Sequence, residues 1–355
     1  MNETQQSKEE KIKNFDPDGV GNTRANIFGL PFSVEESDVV IIPVPWDVTV
    51  SNIDGTSNGP ENVFNQSSQI DLYDEFTSEP WKAGIAMEEI PSNILRRNQN
   101  LRPMAQKYIQ WLEKQEVEAD DEELTAIRNE INKACEDLVE NIRHRSGEYL
   151  QKDKLLVILG GDHSTPLGLI KALAEKHKDF GILQIDAHAD LRPAYEGFSH
   201  SHASIMHNAM QLPQISTFVQ VGLRDFCPQE IAVIKENPKR MKPFFSRDIH
   251  RRLFEGQTWQ TICQEIIEQL PKKVYISFDI DGLDPAWCPS TGTPVPGGLS
   301  YNQVLYLFEE LARSGRTIIG FDLVETGSGQ LDGIIACRLL YKTIAIMLKS
   351  NGKLQ

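Results

Sequence analysis

Carboxylate and imidazole side chains alternate along Asp186-Ala187-His188-Ala189-Asp190, directly after the apolar run Gly181-Ile182-Leu183-Gln184-Ile185. In extended backbone, residues i, i+2 and i+4 project to one face. Asp186, His188 and Asp190 therefore converge on one point beyond the end of a strand, and three such ligands aimed together imply a metal ion. Two further stretches repeat the pattern. Residues 155–159 lead into Gly160-Gly161-Asp162-His163-Ser164, and residues 274–278 lead into Asp279-Ile280-Asp281-Gly282-Leu283-Asp284-Pro285. If the three runs are neighbouring parallel strands, their carboxyl ends gather His163, Asp186, His188, Asp190, Asp279 and Asp281 in the crevice where open α/β sheets place ligands.

Four carboxylates and two imidazoles exceed what one zinc ion uses. The oxygen-rich mixture suits Mn²⁺, with Ni²⁺ or Fe²⁺ tolerated. Two ions about 3.5–4 Å apart, sharing a carboxylate, bring the pKa of water towards neutrality and aim it at an electrophilic carbon or phosphorus. Each stretch alone has a plainer reading. Asp162 can cap a strand-to-helix turn, and Asp279 with Asp281 can be a solvated strand end. Their recurrence at equivalent strand ends favours the metal.

The elements that must position these residues can be read from periodicity. Residues 39–44 form the first strand, too apolar to be half exposed, as in a buried parallel sheet. Further buried runs fall at 155–159, 181–185, 218–221, 274–278 and 317–323. Helical stretches begin near Glu61 and cover 166–178, 228–236, 259–269, 301–314 and 332–348. Strand, helix and strand within 155–185 make a βαβ unit, which implies a parallel pair. The alternation gives an α/β fold: a mainly parallel sheet between two helical layers.

Two decorations surround that body. Residues 1–35, polar and turn-rich, read as an N-terminal arm packing on the main domain, 36–350, or on a partner subunit. Residues 81–150 read as a helical insertion, with the acidic run 116–123 a turn between two helices. The loop after the first strand faces the site, so Trp46, Asp47 and Asp54 are candidates to touch a substrate or simply to make turns.

A net charge of −15 argues against a nucleic-acid partner and favours cationic small molecules. The first residues lack an apolar signal region, and no stretch approaches the roughly 20 apolar residues that span a bilayer. The expectation is a cytoplasmic protein with no membrane partner. Cys135, Cys227, Cys263, Cys288 and Cys337 are odd in number and unpaired in spacing, as reduced structural thiols are.

Gly160-Gly161-Asp162-His163-Ser164, Asp186-Ala187-His188-Ala189-Asp190 and Ser277-Phe278-Asp279-Ile280-Asp281-Gly282-Leu283-Asp284-Pro285 together resemble the signature motifs of the ureohydrolases, the arginase and agmatinase family. Thr291-Gly292-Thr293-Pro294-Val295-Pro296-Gly297-Gly298 is similar to a fourth. The resemblance implies a three-layer α/β/α fold and two divalent metal ions, Mn²⁺ or Ni²⁺, hydrolysing a guanidino group to urea. His163, Asp186, Asp190 and Asp279 would hold one ion, and Asp186, His188, Asp279 and Asp281 the other. His202 matches the histidine that passes a proton to the leaving amine, with His200 a competitor and a solvated loop histidine the alternative. Glu325 matches the carboxylate that pairs with a planar guanidinium, or else makes an ordinary strand-end salt bridge.

The loop at 191–197 is similar to the agmatinase-like branch, and the arm and insertion are similar to guanidine hydrolases. The implied partner is a cationic guanidino small molecule, with free guanidine or agmatine leading, and the implied assembly is a homotrimer or homohexamer. The sequence departs from the family at Thr326-Gly327-Ser328 and at Ser51-Asn52-Ile53-Asp54-Gly55. Arginase and guanidino-acid activities (guanidinobutyrase or guanidinopropionase) therefore stay open, as does a one-zinc deacetylase-type hydrolase.

Overall fold

All six apolar runs form strands of one parallel sheet in the computed structural model, which describes residues 6–114 and 122–354. The strands are β1 (Val39–Val44), β2 (Ile85–Met87), β3 (Leu155–Gly160), β4 (Phe180–Ile185), β5 (Ile215–Leu223), β6 (Met241–Phe245), β7 (Lys273–Asp279) and β8 (Thr317–Val324). Their order across the sheet is β2-β1-β3-β8-β7-β4-β5-β6. The helices among the described residues are α1 (Lys8–Asn14), α2 (Gly59–Ser67), α3 (Ser92–Glu113), α4 (Glu122–Gln151), α5 (Leu167–Lys176), α6 (Ile205–Met210), α7 (Pro228–Glu236), α8 (Ser246–Phe254), α9 (Trp259–Glu268), α10 (Tyr301–Arg313) and α11 (Gln330–Ser350).

Alternate residues of each strand enter different cores, which gives the three layers. Leu155, Val157 and Leu159 join a cluster with residues of α2 and α8–α11. Leu156 and Ile158 join a second cluster with residues of α3–α7. Both faces of the sheet are covered, so its strands are largely apolar, with Gln184, Gln220, Ser277 and Asp322 as buried polar exceptions.

One expectation needs correction. β3 and β4 are parallel but do not pair, because β8 and β7 lie between them. The crossover through α5 spans that gap, and the later strands fill it. Two strands escaped the periodicity reading for physical reasons. β2 has only three residues, too few to show a period. β6 contains Pro243 and sits at the sheet edge, where a missing N–H is tolerated.

The arm packs on the body beside β2. Phe15 lies on Trp81 with ring centroids 5.0 Å apart, and Ile27, Phe28, Leu30 and Phe32 are buried. The Asn26 side chain hydrogen-bonds both Met87 N (2.8 Å) and Met87 O (3.2 Å), which occupies the free edge of the sheet. α3 and α4 make up most of the expected insertion, but residues 116–121 of the acidic run lie outside the described residues. Among the described residues, no helix is long and apolar enough to cross a membrane.

Candidate metal centre

β3, β8, β7 and β4 are consecutive in the sheet, and their carboxyl ends deliver His163, Glu325, Asp279 with Asp281, and Asp186 with His188 and Asp190. Close backbone approach makes this possible. A Cβ on Gly161 would lie 2.0 Å from the Trp46 carbonyl oxygen, so the turn into His163 requires glycine. Asp190 (φ 55°) and Glu325 (φ 59°) are non-glycine residues in the left-handed region, a strain of about 1–3 kcal/mol each. Backbone bonds hold both: Asp190 O accepts from Met206 N and His207 N, and Glu325 N donates to Gly161 O at 2.8 Å.

Two groups of side chains are each tight enough to surround one ion: His163, Asp186 and Asp279, and Asp186, His188 and Asp281. Asp186 belongs to both. Its Oδ2 lies 3.0 Å from His163 Nδ1, and its Oδ1 lies 3.5 Å from His188 Nδ1. Asp190 Oδ2 is 2.9 Å and Asp279 Oδ2 3.4 Å from His163 Nδ1, while Asp281 Oδ2 is 3.1 Å from His188 Nδ1.

Despite these three nearby oxygens, His163 Nδ1 is buried without a well-formed hydrogen bond. Its other nitrogen, Nε2, is 2.9 Å from Ser277 Oγ, which in turn donates to Asp322 Oδ1 at 3.3 Å. A hydroxyl that gives its hydrogen to Asp322 must accept from Nε2–H. With Nε2 carrying that hydrogen, Nδ1 faces three carboxylates, an arrangement that calls for a cation there: a proton in the metal-free protein, a metal ion in its place when one is bound. The donor set therefore fits divalent metal ions.

A second polar chain supports Asp186. Gln184 Nε2 donates to Asp186 Oδ2 at 2.8 Å, and Gln220 Nε2 donates to Gln184 Oε1 at 2.7 Å, both inside the core. The protonation pattern also points to missing positive charge. Burial pushes Asp190 up to about 7, with Asp186 adding repulsion. Asp279 is likewise raised by burial and by Asp281 and Asp186. Burial works against charge on His163 and His188, yet the surrounding carboxylates hold both imidazoles well above their ordinary range. Asp186 resists its own burial and is lowered, because both imidazoles face it.

A cavity of about 260 Å³ opens on this cluster, lined in part by His188, Asp190, Arg192, Tyr195, His202, Asp225 and Glu230. A narrow recess continues from it past Ser51, Asn52, His202 and Thr293 to Glu325. Glu325 is 3% exposed. Its Oε1 accepts from His163 N at 3.0 Å, whereas Oε2 has no partner. Burial, Asp279 and Asp162 raise its pKa well above the usual carboxylate range, as expected of a carboxylate lacking its counter-ion.

A family model described as Arginase family matches residues 37–344. The N(1)-aminopropylagmatine ureohydrolase of Thermus thermophilus is 33% identical over 316 residues, covering 88% of this chain and 91% of that protein. The chain belongs to the arginase family. The family's enzymes are hydrolases acting on guanidino carbon–nitrogen bonds. The guanidinobutyrase of Pseudomonas aeruginosa is 32% identical, covering 59% of this chain and 67% of that one. The agmatine ureohydrolase of Thermoplasma volcanium shares the fold, with a TM-score of 0.68, 22% identity, and 97% of this chain and 99% of that chain covered.

Not every candidate residue of this arginase-family chain reaches the cavity. Trp46 is fully buried among core side chains, so the expectation that it touches substrate is withdrawn. Asp54 turns towards α3, taking a bond from Gln106 at 3.0 Å, and lines neither the cavity nor the recess. Asp47 is spent on its own loop and on α3, its Oδ2 accepting from Gly55 N and Ser57 N and its Oδ1 from Asn98. His202 lines both cavity and recess, whereas His200 feels Lys171, Glu136 and Glu140 on the helical layer instead. Ser277, Asp322, Gln184 and Gln220 escaped the sequence reading. The available signal was a polar residue inside an otherwise apolar strand.

Proposed function

We propose that this chain hydrolyses a cationic guanidino compound to urea and an amine or ammonia, with the guanidinium seated on Glu325. The observation that carries the reading is the buried Oε2 of Glu325, unpartnered among the described residues, on the lining of a recess that shares Ser51, Asn52, His202 and Thr293 with the cavity over the carboxylate–imidazole cluster. A guanidinium stays charged at any working pH and offers a planar fork to a carboxylate. It also relieves the electrostatic cost of burying Glu325.

His163, Asp186, Asp190 and Asp279 would hold one divalent ion, and Asp186, His188, Asp279 and Asp281 the second, with Mn²⁺ or Ni²⁺ suited to the donors. Bound there, the ions supply an activated water at neutral pH. Glu325 orients the guanidinium so that its central carbon faces the cluster. His202 Nε2, 3.3 Å from Ser51 Oγ, takes a proton and returns it to the leaving nitrogen. In the metal-free protein, burial and the imidazoles of His188 and His163 push His202 down to about 3, so the imidazole is neutral there; metal at His163 and His188 would displace the protons behind part of that lowering. The narrow recess keeps bulk water from the guanidinium.

For the rest of the substrate, the acid-lined cavity supports free guanidine or an amine-tailed guanidine of the agmatine type. Asp225 contributes a carboxylate to its wall besides the candidate ligand Asp190, while Glu230 is spent on Leu191 N, Cys227 N and Arg192. A second reading, a guanidino acid such as arginine or guanidinobutyrate, has Arg192 in its favour. That guanidinium, however, lies over the Tyr195 ring at 4.6 Å and 3.9 Å from Glu230. The chain is expected to work as a homotrimer or homohexamer, which light scattering would check.

The test is urea release by protein loaded with Mn²⁺ or with Ni²⁺, across guanidine, agmatine, N(1)-aminopropylagmatine, arginine, guanidinobutyrate and guanidinopropionate. Preference for guanidine or an amine-tailed compound supports the reading. Preference for arginine or a guanidino acid transfers the assignment to the second reading. No urea from any of them, with two ions bound, overturns the substrate class. One ion per chain would instead favour a deacetylase-type site.

A further inference from the structure

Besides the 292–293 segment, two loops wall the recess, and the sheet that carries the carboxylates does not by itself hold either of them. Residues 45–58, between β1 and α2, contribute Ser51 and Asn52. Residues 191–204, after β4, contribute His202. The two loops meet where Ser51 Oγ lies 3.3 Å from His202 Nε2.

Both are fastened to the inserted helices. Asn98 on α3, 3% exposed, accepts from Asp47 N and donates to Asp47 Oδ1, both at 2.7 Å. One turn on, Arg102 NH1 donates to Val48 O at 3.1 Å and to Val50 O at 2.7 Å. These are carbonyls of the segment that leads directly into Ser51. On α4, Asn132 donates to Gly197 O at 3.0 Å and accepts from Ser199 N at 2.9 Å, bracing the loop that leads to His202.

The type of residue matters here. Arg102 is 9% exposed; burying a guanidinium is unfavourable, and here the two loop carbonyls on NH1 and the Asp54 carboxylate near Nε offset that cost. A hydrophobic side chain would pack α3 against the sheet without that cost. One guanidinium NH2 group takes two carbonyls of the loop at once, and Nε lies 3.7 Å from Asp54 of the same loop.

We propose that Arg102, backed by Asn98, is a positioning residue that fixes the 45–58 loop so that Ser51 stays on His202, making the α3–α4 insertion part of the catalytic apparatus. This rests on His202 moving the proton in the proposed reaction. Arg102 lines neither the cavity nor the recess. It acts through the loop.

The test uses the full-length, metal-loaded chain with Arg102→Met, Ser51→Ala and the double variant, assayed for urea. Arg102→Met is expected to lower kcat about 10- to 100-fold, the scale of a small misplacement of catalytic groups, with KM and bound metal little changed. Because both substitutions break one contact, the double variant is expected to be no slower than the worse single one. Arg102→Lys, which keeps a donor, recovers part of the loss. Effects on kcat that multiply in the double variant overturn the proposal.

Hydrogen exchange provides a readout that needs no substrate. In Arg102→Met, amides of residues 47–55 are expected to lose protection while those of α3 and α4 keep theirs. Unchanged loop protection overturns the proposal. Absence of urea from the parent chain defeats the functional reading alone, leaving exchange to judge the loop. If Arg102→Met does not fold, Asn98→Asp, which sets a carboxylate against Asp47, takes its place in both measurements. Lost loop protection then supports the proposal, and unchanged protection overturns it.

Discussion

Replacing Ser277 with alanine should weaken the metal centre without touching one of its ligands. Ser277 Oγ sits 2.9 Å from His163 Nε2 and donates to Asp322 at 3.3 Å. Asp322 keeps two other donors, Tyr275 OH at 2.7 Å and Phe278 N at 3.0 Å, so it loses least. His163 Nε2 loses its only partner, inside a core where water does not replace it. Leaving such a group unsatisfied costs about 1–3 kcal/mol. A ring tied to an ion through Nδ1 cannot turn to another acceptor, whereas the metal-free ring can, so the larger share of that cost falls on the metal-bound state. It corresponds to about 5- to 150-fold weaker binding, in the range of about 10- to 100-fold known for outer partners of ligating histidines. The assay is competition with a chelator of known affinity, read as metal retained per chain, with thermal melting of the metal-free protein as control. Affinity within twofold of the parent would refute the inference that Ser277 fixes the tautomer of His163.

Three other outcomes are expected. In the metal-free protein the surrounding carboxylates hold His163 and His188 above their ordinary range, which favours their protonated forms, and an ion bound at either imidazole displaces those protons. Metal affinity therefore rises with pH, and calorimetry in buffers of different ionisation enthalpy should show net proton release; zero release contradicts this. Glu325→Gln keeps the acceptor for His163 N but loses the charge, and kcat/KM for the preferred substrate should fall by about 2–5 kcal/mol in transition-state terms with bound metal unchanged. An effect confined to metal content would move Glu325 out of the substrate site. Gly161→Ala drives a methyl to within 2.0 Å of the Trp46 carbonyl, so the β3 turn must shift; lower melting temperature and lower metal occupancy are expected together, and a fully loaded, equally stable variant would rule this out.

How much was legible in advance differs by element. The six buried strands and the three ligand-bearing strand ends are local features: a continuous apolar run, then acids and imidazoles spaced two apart, which extended backbone turns to one face. Strand order is not local. β7 and β8 enter between β3 and β4 only because later chain segments fill the gap left by the crossover, and no spacing in the sequence records that. Edge strands β2 and β6 were missed because short length and Pro243 erase the period.

The same division runs through the site. Chain chemistry alone singles out His163, Asp186, His188, Asp190, Asp279 and Asp281 as candidate ligands, because acids and imidazoles recur at three equivalent strand ends. Tertiary structure decides which side chains face the reaction. Trp46 and Asp54 occupy the same loop as Ser51, yet one is buried in the core, one turns to α3, and Ser51 meets His202. Asn98 and Arg102 look like ordinary residues of a polar helix until α3 is laid across that loop. The sequence by itself determined the ligands and the strands that carry them, since both depend on near neighbours in the chain. The sheet order, the recess at Glu325 and the bracing of its loops depend on contacts between residues far apart in the chain, and these exist only once the layers have packed.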